Sequence, residues 1–284
     1  MSLDLHRRAE LSPEQIAALE QALAAFYKNP PANYYPIADQ AAQRYTPREQ
    51  PFHCDLVGRV YPGAKLLEMG CGTAHLCSHV EKNGGVYTGL DYSEVLLQDN
   101  RRRFPRARFF SIGTALEETF DIVASLYTLE HIADPPAYLE SLWRYCRPGG
   151  LLAVICPEFI ECPSFPPSVF FGKTPRRFRE KLSALNLADA ASHLLDLKLR
   201  APHWKKTLQD GPPGAFWINL KPRILHGAEQ FSSDADAVHL PRLKDLVWFF
   251  EKKNAAILQT STGMPGVSDE ILRYNCYVLA RKPE

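Results

Sequence analysis

The chain has no run of eighteen or more apolar residues, and its first ten residues, Met1 to Glu10, are charged where a leader peptide needs an apolar core. No membrane-spanning helix and no membrane partner are therefore expected, and the cytoplasm is the expected compartment. It also lacks an excess of either charge, with 33 Lys and Arg against 32 Asp and Glu. Proteins drawn to phosphate backbones usually carry a basic surplus, so nucleic acid is not an expected partner. The seven cysteines are odd in number, scattered, and form no CxxC pair, which excludes a disulfide frame and the usual structural zinc sites. No internal repeat and no low-complexity tract occurs. At 284 residues with 45% apolar content, the chain can bury roughly three quarters of its unfolded surface without staples.

What is present divides into textures. Ser12, Pro13 and Gln15 form a capping start, and Ile16, Leu19, Leu23, Phe26 and Tyr27 recur at helical spacing until Asn29-Pro30-Pro31 stops them. A helix is expected there, then a proline- and tyrosine-rich arm over 30–51 and a short helix over 52–61. From Ala64 short apolar runs alternate with helical segments, the pattern of a parallel sheet wound with helices on both faces. Strands are expected over 64–69, 85–90, 107–112, 120–126 and 149–156, with helices over 73–83 and 93–104. Another helix is capped by Asp134 and opened by Pro135, with Leu139, Leu142, Trp143 and Cys146 as its apolar stripe.

After Cys156 the alternation stops for about eighty residues, with proline-rich punctuation around a long amphipathic segment near Arg176 to Leu199. The winding resumes with a helix over 242–253 and strands over 256–261 and 271–281. The expected division is therefore an N-terminal helical arm or lid over 1–61, a core over 62–156, an inserted substrate cap over 157–240, and a C-terminal completion of the sheet over 241–284.

The strongest chemical signal is Leu66-Leu67-Glu68-Met69-Gly70-Cys71-Gly72-Thr73, a buried strand that ends in a glycine turn and opens a helix. Gly70 and Gly72 let the backbone bend sharply and let a ligand lie against the main chain. By position this is the first crossover of a Rossmann-like sheet, whose ligands bind beyond the carboxyl ends of the strands. The third glycine of a dinucleotide fingerprint would fall at His75, and its absence disfavours a pyrophosphate. About twenty residues on, Gly89-Leu90-Asp91-Tyr92-Ser93 ends the second strand with a carboxylate able to accept hydrogen bonds from both hydroxyls of a ribose. A nucleoside without a pyrophosphate is the ligand this implies.

LLEMGCGTA resembles the first motif of class I S-adenosylmethionine-dependent methyltransferases, and GLDYS resembles their second. Phe120-Asp121-Ile122-Val123-Ala124-Ser125-Leu126, followed by Leu129-Glu130-His131-Ile132-Ala133-Asp134-Pro135, is similar to their fourth-strand motif. Arg147-Pro148-Gly149-Gly150-Leu151-Leu152 is similar to the turn and strand after it. Four motifs in order cover roughly residues 64–156. The resemblance implies an α/β fold, doubly wound, with a mostly parallel seven-stranded sheet between helices, and S-adenosylmethionine as cofactor. It implies Glu68 and Gly70 near the methionine ammonium, Cys71 and Gly72 in the turn against the cofactor, Asp91 on the ribose, and Tyr92 beside the adenine. It also places Thr114 and Ala115 after the third strand near the adenine, where the acidic residue often found is missing, and gives the methionine end the backbone of Leu126.

The expected reaction is methyl transfer to a small-molecule acceptor at an oxygen, nitrogen or carbon atom. A nucleotide-dependent oxidoreductase and a non-catalytic S-adenosylmethionine-binding protein are the alternatives. His131 is the candidate base for an acceptor that must lose a proton; its plainer reading is a packing residue at a helix start. Asp134-Pro135-Pro136-Ala137-Tyr138 resembles the DPPY string of methyltransferases that act on amino groups of nucleic-acid bases, but lies too late after the strand and carries an extra alanine, so a helix cap is favoured. No metal is expected: His75 and His79 are four apart beside Cys71, but no further ligand cluster joins them. Arg101, Arg102, Arg103, Arg106 and Arg108 suit a solvated helix end. Lys173, Arg176, Arg177, Arg179 and Lys181, beside Phe165, Phe170, Phe171 and Phe178, are read either as a cap over an acidic or amphipathic acceptor or as an ordinary packed helix.

Overall fold

The structure, a computed structural model, describes residues 4–28, 30–36, 50–160, 178–195, 198–199, 201–226 and 235–284. Its centre is a seven-stranded sheet built from β2 (Lys65–Met69), β3 (Val86–Asp91), β4 (Arg108–Ser111), β5 (Phe120–Leu126), β6 (Cys146–Pro157), β9 (Ala256–Thr260) and β10 (Asn275–Arg281), in the order β4-β3-β2-β5-β6-β10-β9. The pairs from β4 to β6 are parallel, and β10 runs antiparallel to both β6 and β9. The chain leaves β2 toward β3 and later returns on the other side as β5, so the topological switch point lies beyond the carboxyl ends of β2 and β5.

Burial on both faces accounts for the unbroken apolar runs of the central strands. Alternate residues serve opposite cores. Leu66, Ile122 and Ile155 face α2 (Pro51–Gly58), α3 (His75–Lys82) and α4 (Glu94–Arg103). Leu67, Val123 and Val154 face α5 (Pro135–Tyr145) and α9 (Leu243–Lys252). The expected capping of α5 is present: the Asp134 carboxylate accepts the Ala137 amide at 3.3 Å, Pro135 sits in the first turn, and Leu139 and Leu142 are buried.

A second, three-stranded sheet joins segments far apart in sequence. β1 (Leu5–Arg7) pairs antiparallel with β7 (Trp217–Asn219), which pairs with β8 (His239–Leu240). Over it lies α1 (Pro13–Lys28), whose Ile16, Leu19 and Leu23 pack on Ala133, Ile218 and Val238. Arg8 pairs with Asp134 at 2.6 Å, tying the N-terminal segment to the start of α5.

Several expected boundaries differ for local reasons. Helix α3 starts at His75 and not Thr73, because Ala74 is left-handed at φ 55° and cannot belong to the first turn. Residues 269–274 are not strand but α10 (Asp269–Tyr274), capped by the Ser268 hydroxyl accepting the Ile271 amide at 3.4 Å. The single amphipathic segment expected over 176–199 is α6 (Phe178–Ser183) and α7 (Leu187–Leu195), followed by α8 (Ala201–Asp210). The turn between α6 and α7 holds Leu185 left-handed at φ 55°. Lys173, Arg176, Arg177, Phe165, Phe170 and Phe171 lie outside the described residues.

Candidate functional site

The site begins at the glycine turn after β2. Gly70 and Gly72 are left-handed at φ 78° and 49°. Gly70 and Cys71 both donate their amides to the Leu90 carbonyl, at 2.8 and 2.9 Å, and the Asn100 side-chain amide donates to the Gly72 carbonyl at 2.7 Å. The turn is thus fixed by its own protein before any ligand arrives. A Cβ on Gly70 would collide with the Thr128 side chain, whereas a Cβ on Gly72 would meet nothing within 4 Å. So Gly70 is required by packing against the end of β5, and Gly72 is the position that leaves room. The Cys71 side chain turns away into the core beside Gly89, and burial pushes its thiol well up.

Asp91, at the end of β3, closes the turn from the other side. One carboxylate oxygen accepts the Gly72 amide at 2.8 Å and the other accepts the Ser93 amide at 2.9 Å. Desolvation nonetheless raises its carboxyl above the ordinary value, with the amide bonds working in the opposite direction. Glu68, two residues before Gly70, is buried and accepts the Tyr87 hydroxyl. Burial pushes its carboxyl up to about 8, against the lowering effect of that bond. Two desolvated carboxyls of raised pKa therefore sit at the head of β2 and β3, an arrangement that an organic cation relieves and an anion worsens.

Beside the turn lies a cavity of about 490 Å³. Its lining includes Met69 and Leu90, the residues before Gly70 and Asp91, together with Tyr92, Ile112, Gly113, Thr114, Ala115 and His131 to Asp134. Tyr138 lines it too, its hydroxyl donating to the Met69 carbonyl at 2.9 Å and lying 3.0 Å from Ser125 Oγ. The structure thus groups the expected site residues in two sets. Tyr92, Thr114, Ala115 and His131 line the cavity, while Glu68, Gly70, Cys71, Gly72 and Asp91 build the adjoining turn and are not among its lining residues. Leu126 is packed in the core, its carbonyl accepting Thr128 Oγ1 at 3.1 Å.

Sequence reasoning missed the next residue. Tyr127 is left-handed at φ 49°, a strained state for an aromatic residue, at the carboxyl end of β5. Its hydroxyl lies 2.7 Å from Asn275 Oδ1 and 3.0 Å from Gln50 Oε1, and its ring stacks on buried His53, whose imidazole burial pushes down to about 3.

The contribution of α1 to the cavity was also missed. Its Glu20, Leu23, Ala24 and Tyr27 belong to the lining. Tyr27 donates to Asp236 Oδ2 at 2.6 Å, and Asp236 Oδ1 lies 3.4 Å from His131 Nδ1. Glu130 Oε1 lies 3.6 Å from Nε2 of the same ring. Asp236 is held there because Val238 donates its amide to the Glu130 carbonyl at 2.8 Å and His239 Nδ1 lies 3.2 Å from the Leu129 carbonyl. Burial, then the Asp236 charge, pushes the Tyr27 hydroxyl well up. No motif signals Asp236; the helical period of α1, which ends at Tyr27, was the only available hint.

His75 forms a local contact with Thr73, and among the described residues no group of three metal-binding side chains occurs. Four members of the arginine run form ion pairs, Arg101 with Glu94 and Arg102 and Arg103 with Asp99 at the end of α4, and Arg108 with Glu118 at the start of β4.

A doubly wound sheet in this strand order, with a glycine turn and an acidic residue at its switch point, defines the Rossmann-like methyltransferase fold. The chain belongs to the methyltransferase domain family, whose profile matches residues 19–206. Among curated proteins it is 27% identical over 154 residues to the ubiquinone biosynthesis O-methyltransferase of Mesorhizobium japonicum, covering 47% of this chain and 59% of that enzyme. It is 29% identical over 161 residues to its counterpart from Ruegeria pomeroyi, covering 50% and 62%. The matches thus span about three fifths of those relatives' length. A solved structure of similar fold is 1,6-didemethyltoxoflavin-N1-methyltransferase from Burkholderia thailandensis, with bound 1,6-didemethyltoxoflavin and S-adenosylhomocysteine. It has a TM-score of 0.56 and 14% identity, over 96% of this chain and 92% of that one.

Proposed function

We propose that this chain is an S-adenosylmethionine-dependent methyltransferase acting on a small molecule. The observation that carries the reading is the Gly72 amide held on the Asp91 carboxylate, with open space above Gly72 and a 490 Å³ cavity alongside. The residues present fit that cofactor. Raised, desolvated carboxyls at Glu68 and Asp91 suit a cationic nucleoside, and the turn offers none of the phosphate-binding glycine at position 75. When bound, the cofactor supplies an electrophilic methyl group on a sulfonium, a strong donor that asks mainly for alignment and exclusion of water.

In this reading Glu68 and the Gly70 turn hold the methionine end, Asp91 holds the ribose, Tyr92, Thr114 and Ala115 flank the adenine, and Tyr127 joins Leu126 at the methionine end. His131 faces the acceptor and takes its proton where the attacked atom is a hydroxyl or ring N–H. Asp236 and Tyr27 orient that imidazole. Residues 1–61 and 157–240 act together as the cap over a core of 62–156 completed by 241–284. The free thiols described, Cys54, Cys71, Cys77, Cys146, Cys156 and Cys276, agree with work in the cytoplasm.

The test is calorimetric titration with S-adenosylhomocysteine, followed by transfer of labelled methyl to a panel of phenols, enols and heterocyclic N–H compounds. Binding with turnover is expected. Binding without turnover on any acceptor points to a non-catalytic cofactor protein, and binding of NAD in place of S-adenosylhomocysteine overturns the assignment.

A further inference from the structure

Of the proline- and tyrosine-rich arm expected over 30–51, residues 30–36 and 50–51 are described. Residues 31–36 fold into a turn, with the Tyr34 amide donating to the Pro31 carbonyl at 2.9 Å. The rings of this turn join those at the end of α1. Tyr34 meets Phe26, Tyr27 and Tyr35 edge-on, at 5.9, 6.0 and 5.4 Å between ring centroids. Tyr27 in turn lies edge-on to His131 at 6.4 Å, and the Tyr35 hydroxyl lies 3.5 Å from Oγ of Ser93, whose amide donates to Asp91. A row of rings, Tyr27, Tyr34 and Tyr35, thus runs from the imidazole at one side of the site to the carboxylate at the other.

Tyr34 is the middle member of that row. Burial, then the charges of Asp236 and Asp91, pushes its hydroxyl up, so the phenol stays neutral between the two carboxylates. The face of a neutral aromatic ring is electron-rich and attracts an organic cation, and it gives little to an uncharged molecule of the same shape. Carboxylates flanking the rings disfavour an anion as well. The ligand class suited to this row is therefore an organic cation.

In S-adenosylmethionine a single methylene joins the sulfonium to the ribose, and the methyl group must point at the acceptor. The charge therefore falls between the group that holds the ribose and the group that faces the acceptor, which in the methyl-transfer reading are Asp91 and His131, the two ends of the row. Resting on that reading, we propose that Tyr34 is a specificity residue that covers the sulfonium and tells the charged methyl donor from the uncharged thioether left after transfer. The ring favours the donor and gives the product no comparable hold.

The experiment is calorimetric titration of wild type, Tyr34→Leu and Tyr34→Phe with S-adenosylmethionine, with S-adenosylhomocysteine, and with the analogue that carries an ammonium in place of the methylsulfonium. In Tyr34→Leu the affinity for both cations should fall about 3- to 30-fold while that for S-adenosylhomocysteine stays within about twofold of wild type. Tyr34→Phe keeps the ring and should match wild type with all three ligands. A second series holds the shape constant in case the leucine variant folds poorly: Tyr34→Phe with one, two and three ring fluorines should lose cation affinity stepwise at constant S-adenosylhomocysteine affinity. Equal weakening of all three ligands in Tyr34→Leu assigns Tyr34 to packing alone and overturns the proposal, as does a flat cation affinity across the fluorinated series. Wild type that fails to bind S-adenosylhomocysteine at all overturns the methyl-transfer reading itself, and the role of Tyr34 with it.

Discussion

The central sheet and the small three-stranded sheet with α1 obey different rules of construction. In the sheet, the parallel strands β2 to β6 follow one another within residues 65–157, and the glycine turn and Asp91 come from residues 69–91. In the small sheet and α1, contacts are remote: β1 pairs with β7 across more than two hundred residues, and Tyr27 bonds to Asp236 over a separation of 209. The turn proposed to hold the cofactor is thus a local structure. The surroundings of His131, proposed to face the acceptor, are an assembly of distant pieces.

If that contrast holds, damage in the turn should unfold or empty the site, and damage in the cap should spare cofactor binding. The largest effect is expected from Gly70→Val. It forces a branched residue into φ 78° and drives it into Thr128, and these two faults together should destabilise the chain by roughly 2–6 kcal/mol, read as a fall in the urea midpoint. The glycine is therefore needed for packing first; a variant that melts and binds S-adenosylhomocysteine like wild type would show the turn to be placed wrongly.

The next effect depends on pH. Glu68 is raised in the folded state from the usual 4.5 to about 8, so the fold favours its protonated form. The stability it contributes is fully present below about 4.5 and is lost as pH rises through about 8, by an amount on the order of a few kcal/mol. Glu68→Gln should remove that loss, making the ligand-free variant more stable than wild type at pH 9 while the gap closes toward pH 5. Parallel urea curves at pH 5, 7 and 9 with a constant gap would sink the assignment.

The same contrast sets what could be read from sequence. Strands β2 to β6 were legible because burial on both faces leaves short apolar runs, and α5 because Asp134 and Pro135 mark its start chemically. The turn was legible because only glycine tolerates φ 78° with Thr128 in contact. Local exceptions were not: Ala74 and Tyr127 take left-handed backbone against their side-chain preference, imposed by tertiary packing that no window of sequence contains. Asp236 was invisible for a different reason. A single buried carboxylate acquires meaning only when β8 brings its loop against the 129–131 turn.

Asp91→Ala tests the local half more gently. It removes the acceptor for the Gly72 and Ser93 amides and for the proposed ribose contact, and should weaken S-adenosylhomocysteine binding by about 1.5–3 kcal/mol in a folded protein. Unchanged affinity by calorimetry would remove Asp91 from the site.

The smallest effect, and the one that separates the halves most sharply, is Tyr27→Phe. It deletes one buried hydroxyl that donates to Asp236, and should cost about 1 kcal/mol of stability. Because Tyr27 stands on α1 and not on the turn, S-adenosylhomocysteine affinity should stay within twofold of wild type. Asp236, freed of one donor, would hold the His131 ring less firmly, so turnover on an acceptor that loses a proton should fall several-fold with its pH profile displaced. A methyl acceptor that needs no deprotonation should be nearly indifferent to the change. Loss of cofactor affinity in this variant would mean that cap and turn are one cooperative unit, and that the acceptor half is not independently built.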